Sequence, residues 1–167
     1  PSGGISFELL YKVTKDLGIE WQPYFVPPKR AYKMVDEGNW CASFYPIHGN
    51  NAFIRYNLSD TPINIGLIRL LQEKTFSWNN LNEYRGKTIA VLSSGNNIYY
   101  AKMFKQAGLT MVQVQTVHAA VQMVILKRVD YAMVDNFSFE SLESKNKNKL
   151  QFSKSLILQT QPRIFIN

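Results

Sequence analysis

The stretch KTIAVLSSGNNIYYAKMFKQAG, residues 87–108, decides the fold class. It begins with an apolar run of strand length and continues into a small polar turn. Apolar residues then recur at helical spacing from Tyr100 to Ala107, which predicts a helix that ends at Gly108. A strand that passes through such a turn into a helix can present free backbone N–H groups to an anion. The stretch therefore predicts a strand, a helix and a candidate binding turn between them.

The same alternation of helix and strand continues on both sides of this stretch. The predicted helices are residues 5–18, 28–38, 78–86, 97–108, 119–128 and 137–147, and the predicted strands are residues 19–26, 41–45, 63–71, 87–92, 111–117, 131–135 and 162–167. Strands separated by helices of this length predict parallel βαβ units and an α/β fold. A second βα series follows the mid-chain strand, so we expect two lobes joined near residues 72–75.

Composition predicts a globular protein and does not favour nucleic acid as a partner. The chain has 167 residues, of which 46% are hydrophobic and 13% aromatic, enough to bury a core. Its formal charge is +7, but the basic residues are dispersed, and the dense run at 145–149 contains no aromatic residue for base stacking. Cys41 is the only cysteine, which excludes an intrachain disulfide, and its apolar surroundings predict that it is buried. No membrane-spanning run or basic apolar leader is evident, so a signal peptide is expected to have been removed or never included.

Candidate binding residues lie where predicted strands end, because ligands of open parallel sheets collect at the carboxyl ends of the strands. These residues are Tyr45 and Pro46 after the first lobe's strand, Ser93, Ser94, Gly95 and Asn96 after the strand at 87–92, and Asp135 at the end of the strand at 131–135. An aromatic loop, hydroxyl groups, helix amides and a carboxylate together suit a small zwitterionic or polar molecule. The serine turn and Asp135 have a structural alternative, since both could simply cap the helices that follow them.

Enzyme signatures are missing from the sequence. It contains no G-x-x-x-x-G-K-[ST], G-x-G-x-x-G, G-x-S-x-G or H-E-x-x-H motif. We therefore predict no catalytic residue, no cofactor and no metal site, and we expect that the protein is not an enzyme.

Four segments, taken together and in order, resemble the family 3 extracellular solute-binding proteins, the periplasmic receptors that deliver polar amino acids to ABC importers. They are GGISFELLYKVTKDLGIEWQPYFVPPKRAYKMVDEG at 3–38, LSDTPI at 58–63, WNNLNEYRGKTIAVLSSG at 78–95 and KRVDYAMVDN at 127–136. The resemblance implies a two-lobed clamshell of type II with a ligand held between the lobes. It implies lobe 1 at 1–72, lobe 2 at 73–160 and a hinge strand at 161–167, and it places the family's first strand and closing helices outside this chain.

The resemblance also assigns roles to the candidate residues. Ser93, Ser94 and Gly95 match the loop that holds the ligand's carboxylate, and Asp135 matches the carboxylate that often takes its amino group. Tyr45 and Pro46 match the strand end that lines the cleft. Lys127 stands where the family usually has glycine.

One departure from the family pattern concerns the ligand. The arginine that clamps an amino acid's α-carboxylate is expected at position 52, which is alanine. Because a charge-assisted hydrogen bond contributes a few kcal/mol, its loss would weaken binding roughly ten- to a thousandfold. Either Arg55 or Arg30 replaces it, or the ligand is not an α-amino acid.

The expected function is that of a monomeric periplasmic protein that captures a small polar solute for an ABC permease in the inner membrane. The alternative is an extracytoplasmic ligand-sensing domain of a membrane receptor kinase, in which the same module is reused. A dehydratase of the same fold is a third possibility.

Overall fold

The computed structural model describes residues 4–38, 40–44, 53–93 and 98–167. The chain divides into two compact units. Unit 1 comprises Pro1–Ile63 and Thr160–Asn167, and unit 2 comprises Asn64–Gln159. The described helices are α1 (Gly4–Thr14), α2 (Pro28–Asp36), α3 (Ile98–Gln106), α4 (Val117–Ile125), α5 (Asn136–Glu140) and α6 (Ser144–Lys147), with 3-10 turns at Lys15–Leu17 and Leu81–Tyr84. The described strands are β1 (Ala42–Ser43), β2 (Ile54–Asn57), β3 (Ile63–Leu70), β4 (Thr88–Leu92), β5 (Thr110–Val114), β6 (Tyr131–Asp135), β7 (Leu150–Phe152), β8 (Leu158–Thr160) and β9 (Arg163–Ile166).

Unit 1 is built on an antiparallel sheet in the order β1-β9-β2. Three buried residues form its core: Leu10 of α1, Leu58 directly after β2, and Ile164 of β9. Trp21 packs against this core and its indole N–H donates to the hydroxyl of Thr14, 2.8 Å away. The indole contact therefore ties the loop after α1 to the helix.

Unit 2 contains a mixed sheet in the order β5-β4-β6-β3-β7, with β8 paired to β3. The β4 strand is parallel to β5 and β6, whereas β3 is antiparallel to β6 and β7. The sheet is buried on both faces, since Leu67 packs in one apolar cluster and the next residue, Ile68, in another. Phe104 of α3 joins the first of these clusters and Val121 of α4 the second. Two helices on opposite faces thus bury the apolar strands that the sequence predicted.

The prediction of an α/β protein is confirmed, and several elements agree closely with their predictions. Helix α2 begins at Pro28, whose missing N–H costs nothing in a first helical turn. Helix α3 ends two residues before Gly108, which has a φ of 77°. The apolar strands β3, β4 and β6 also lie where they were predicted.

Other predictions are wrong. Residues 19–26 form no strand, because Pro23 lacks a donor for a ladder and two further prolines follow. The predicted helix at 137–147 is two short helices, α5 and α6. The sheets are not purely parallel, since β3 runs against its neighbours. Cys41 is exposed and not buried.

The boundary between the units lies after Ile63, whereas the sequence suggested a lobe boundary after Gln72. The two positions differ by the length of β3. This strand pairs with β6 and β7, so its contacts are those of unit 2. Among the described residues, no helix is long and apolar enough to cross a membrane.

Candidate functional site

Two of the predicted site residues meet at the carboxyl edge of the unit 2 sheet. Strands β4 and β6 are parallel neighbours, with Ile89 paired to Tyr131 and Ala90 paired to Ala132. Ser93 directly follows β4 and Asp135 is the last residue of β6, so both lie at the carboxyl end of this parallel pair. The chain therefore presents a hydroxyl and a carboxylate at the edge where ligands of such sheets bind.

Ser93 is half-buried and its backbone is committed to the sheet. Its N–H donates to the carbonyl of Val114 over 2.8 Å, and its hydroxyl lies 3.4 Å from Oε1 of Gln113. The amide cannot also donate to a ligand. Any contribution of Ser93 to a site therefore comes from its hydroxyl, which is held only by a long hydrogen bond.

Asp135 caps helix α5, which is the structural role that the sequence offered as an alternative to ligand binding. Its Oδ1 accepts the N–H of Ser138 at 2.8 Å, and its Oδ2 accepts the hydroxyl of Ser138 at 2.6 Å. Each carboxylate oxygen has a second lone pair, which a ligand's ammonium group could share. Capping therefore fixes the orientation of the carboxylate, and each of its oxygens can still accept one more hydrogen bond.

Three polar residues at the same edge were not identified from the sequence. Asn136 accepts the N–H of Asn64 on its Oδ1 at 2.8 Å, and Gln159 donates its amide to Asn64 at the same distance. Asn136 could have been found, because it directly follows the strand that ends at Asp135. Asn64 and Gln159 carried no signal, since they reach this edge through the antiparallel pairing of β3.

The unit 1 candidates lie on separate elements. Arg55 of β2 pairs with Phe165 of β9, which in turn pairs with Ser43 of β1, so the three share one face of that sheet. Arg30 lies in the first turn of α2 and is exposed. Neither arginine forms an ion pair with the residues that the structure describes. Both therefore carry a charge that an anion could use.

The remaining predicted site residues lie outside the described part of the chain. They are Tyr45, Pro46, Ser94, Gly95 and Asn96, together with Ala52 at the expected arginine position. Within the described ranges, no group of three or more His, Cys, Asp or Glu side chains could hold a metal ion.

The titratable groups with shifted pKa values lie at the opposite, amino-terminal edge of the unit 2 sheet. Burial, with a smaller effect of Tyr84 and Asp130, raises the pKa of Tyr131 to about 12. Burial alone would raise the pKa of Asp130, but hydrogen bonds from Thr88 and Lys87 outweigh it and lower that pKa below 3.8.

No protein-family profile and no curated protein matches the sequence. Solved structures do match it over 98% of the chain. An ancestral arginine-binding protein bound to arginine aligns with a TM-score of 0.73 at 15% identity over 74% of its own length. The GluR0 ligand-binding core from Nostoc punctiforme in complex with L-glutamate aligns with a TM-score of 0.71 at 14% identity over 76% of its length. The substrate-binding protein of an amino acid ABC transporter aligns with a TM-score of 0.67 at 14% identity over 73% of its length.

These similarities show the fold. The chain has the α/β fold of these binding proteins, which is the fold that the resemblance to family 3 solute-binding proteins implied. These neighbours are proteins that bind amino acids or other substrates.

Proposed function

We propose that this chain is a solute-binding protein that captures a small polar molecule, an amino acid or a related compound, for import by an ABC permease. The observation that carries the proposal is the polar edge of the unit 2 sheet, where Ser93 and Asp135 lie at the carboxyl ends of β4 and β6 and Asn64 lies at the start of the antiparallel strand β3. The fold shared with amino-acid-binding proteins supports the same conclusion. The proposal includes a periplasmic location and a monomeric state.

In this proposal, each candidate residue has one role. Asp135 accepts the ligand's ammonium group, while the hydroxyl of Ser93 and the turn Ser94–Gly95–Asn96 take an anionic group. Tyr45 and Pro46 line the apolar side of the ligand. Arg55 or Arg30 replaces the arginine that the family places at position 52. The two lobes close over the solute, and closure is linked to binding because the ligand stabilises only the state in which it contacts both lobes.

The first experiment is thermal unfolding of the protein against amino acids, polyamines, small carboxylates and short peptides. A ligand present at 100 times its Kd stabilises the folded state by about 2.7 kcal/mol, which is a readily measured shift. A response to amino acids in the unmodified protein that disappears in Arg55→Gln or Arg30→Gln identifies the replacement arginine. A response confined to other compounds shows that Ala52 accompanies a different class of ligand.

Asp135→Asn provides a sharp test of the site, because asparagine caps helices as well as aspartate does but carries no charge. We expect the melting temperature without ligand to change little, while the affinity for a ligand with an ammonium group falls about tenfold or more. Ser94→Ala should weaken binding through a different group. Unchanged affinity in both variants would contradict the assignment of these residues to the site.

A second candidate is an extracytoplasmic ligand-sensing domain of a membrane receptor kinase, and the similarity to GluR0 ligand-binding cores in complex with L-glutamate fits the ligand binding that it requires. Both candidates predict ligand binding, so the panel above does not separate them. The coding sequence that follows Asn167 does. A membrane span and kinase motifs there favour the sensor, and closing helices followed by a stop codon favour the free transport receptor.

A further inference from the structure

A basic cavity lies at the amino-terminal edge of the unit 2 sheet, where β4 and β6 begin and β3 ends. Its volume is about 320 Å³. The charged residues that line it are Arg69, Lys87, Lys127, Arg128 and Asp130, so four positive charges and one negative charge converge there. Because the candidate ligand edge lies at the other ends of β4 and β6, the cavity is separate from the proposed solute site.

The guanidinium of Arg69 is held in place by three contacts. Its Nε donates to Oε1 of Gln151 at 3.1 Å and its Nη2 donates to the carbonyl of Lys74 at 2.8 Å. It also lies over the ring of Phe76, with 4.4 Å between the guanidinium carbon and the ring centroid. These contacts fix the cation before any ligand arrives, so little side-chain entropy remains to be lost on binding.

Lys87 is positioned through a different network. Its ammonium group lies 3.2 Å from Oδ1 of Asp130, and Oδ2 of Asp130 accepts both the N–H and the hydroxyl of Thr88 at 2.8 Å. The carboxylate of Asp130 is therefore hydrogen-bonded to the first residue of β4 as well as to Lys87. It offsets one of the four positive charges and leaves a net charge of +3 among the lining residues.

Lys127 occupies a backbone conformation that favours glycine. Its φ is 56°, and it is the only residue other than glycine with a positive φ in the described part of the chain. Neither Lys127 nor Arg128 forms an ion pair with the residues that the structure describes. Lys127 is therefore a cation at a strained backbone position that has no acidic partner among the described residues. Strain of this kind often marks a functional position, so we infer that the charge of Lys127 contacts a ligand.

Most of the net positive charge of the chain lies in unit 2. Unit 2 contains twelve basic and six acidic residues, so it carries six of the seven net positive charges of the protein. Such a field raises the local concentration of anions around this unit.

We propose that this cavity binds a phosphate group, either of a free phosphate-bearing small molecule or of a lipid headgroup. A phosphate dianion matches a net charge of +3 better than a carboxylate does. Arginine supplies a fork of donors and lysine a point charge, which is the combination that proteins use for phosphate. The volume lies at the lower end of the range for small-molecule sites, which suits a headgroup or a small phosphate compound.

The test measures binding of inorganic phosphate to the whole chain by calorimetry, with ionic strength held constant by chloride. Arg128→Gln and Lys127→Gly each remove one lining cation. We expect either change to weaken phosphate binding about tenfold or more. Glycine relieves the backbone at position 127, so a loss of binding in Lys127→Gly cannot be attributed to unfolding. Lys102→Gln, which removes an exposed charge from α3 outside the cavity, is the matched control and should bind phosphate like the unmodified protein.

Sedimentation with vesicles identifies the source of the phosphate group. Binding to vesicles that contain phosphatidic acid, but not to pure phosphatidylcholine, and only with Lys127 and Arg128 intact, supports the proposal with a lipid headgroup as the ligand. Binding of free phosphate without vesicle binding supports it with a small molecule. The proposal is overturned if neither probe binds, if Lys102→Gln weakens binding as much as the cavity variants do, or if only an acidic polypeptide such as polyglutamate binds. Amino-acid binding at the other edge is measured separately, so the two proposals can fail independently.

Discussion

Lys127 closes the C-terminal end of α4 in a left-handed conformation, with a φ of 56°. A side chain at such a φ costs about 1 kcal/mol because the Cβ approaches the following carbonyl oxygen. We expect Lys127→Gly to raise the free energy of unfolding by about 0.5–1 kcal/mol in urea denaturation. The same change at Lys102, inside helix α3, should lower the free energy of unfolding by about 1 kcal/mol. Equal effects at both positions would show that the backbone angle is not what matters at position 127.

Gly66 is required by packing and not by its backbone angle. A Cβ at this position would lie 2.7 Å from Cζ of Phe152 and 2.7 Å from Oγ of Ser153, and the site is buried. We expect Gly66→Ala to lower the free energy of unfolding by about 1–3 kcal/mol through overpacking, measured by urea denaturation. Adding Phe152→Leu should recover part of that loss, because leucine withdraws the contacting ring atoms. Strictly additive destabilisation in the double variant would show that the clash with Phe152 is not the cause.

At the residue scale, the sequence could indicate polar residues at the ends of predicted strands. It could not indicate polar residues that reach the same edge only through the pairing of distant strands. Ser93 and Asp135 were proposed because one follows and the other ends an apolar strand, and the parallel pairing of β4 and β6 puts both strand ends at the same edge. Asn64 could not be found in this way, since it lies near the start of its strand and reaches the edge only because β3 is antiparallel to β6. The backbone N–H of Ser93 donates to the carbonyl of Val114 in the neighbouring strand β5, a pairing that the sequence alone could not reveal.

The starts of strands β4 and β6 are joined by Asp130, and this junction should depend on pH. Burial raises the pKa of Asp130, but hydrogen bonds from Thr88 and the ion pair with Lys87 outweigh it, so the folded-state pKa lies below 3.8. A carboxyl group with a lowered pKa contributes stability above its unfolded pKa and loses it as the pH falls through the folded value. The contribution is therefore complete at neutral pH, begins to fall near the ordinary pKa of 3.8 and is lost as the pH falls through the lower folded-state pKa.

Asp130→Asn tests this prediction, because asparagine preserves the size and one acceptor while removing the charge. We expect the variant to be less stable than the unmodified protein at pH 7 and the difference to shrink as the pH falls below 3.8, as measured by urea denaturation across pH. Lys87→Gln removes only the exposed ion pair and should have a smaller effect. A stability difference for Asp130→Asn that stays constant down to about pH 3 would contradict the assignment.

At the element scale, long apolar segments were predictable and short or exposed ones were not. Strand β3 is an apolar run with both faces buried, so its burial and its pattern agree. All four residues of strand β2 are exposed. A strand with no buried face needs no apolar alternation, so its sequence carried no signal. The segment at 19–26 is apolar enough for a strand, yet its proline prevents a continuous ladder. Hydrophobic pattern thus predicts burial more reliably than it predicts backbone pairing.

At the scale of the whole molecule, the two units differ in how the chain builds them. Unit 2 is a single continuous segment, Asn64–Gln159, whereas unit 1 combines the start of the chain with its last eight residues, Thr160–Asn167. The two large apolar clusters both lie within unit 2. From the sequence, two lobes could be predicted because the βα series begins again after the mid-chain strand. The position of the boundary could not, because it depends on the sheet that β3 joins.

This arrangement predicts that residues 64–159 fold without the rest of the chain. All the pairing partners of β4, β5, β6 and β7, and the helices α3 and α4 that cover the sheet, are inside the segment. We expect the isolated segment to unfold cooperatively in a thermal melt and to show dispersed amide resonances.

A shorter segment, residues 64–149, is the control for this experiment. It lacks β7, which pairs with β3, and it lacks Ser153, whose buried hydroxyl accepts the N–H of Leu67 at 2.9 Å and donates to the carbonyl of Ser155 at 2.7 Å. Because this truncation leaves a sheet edge and buried backbone groups unpaired, we expect it to lose cooperative unfolding. Cooperative folding of the shorter segment would mean that β7 is dispensable. A molten longer segment would mean that unit 2 depends on unit 1 for its stability, and the division into two independent folding units would then be wrong.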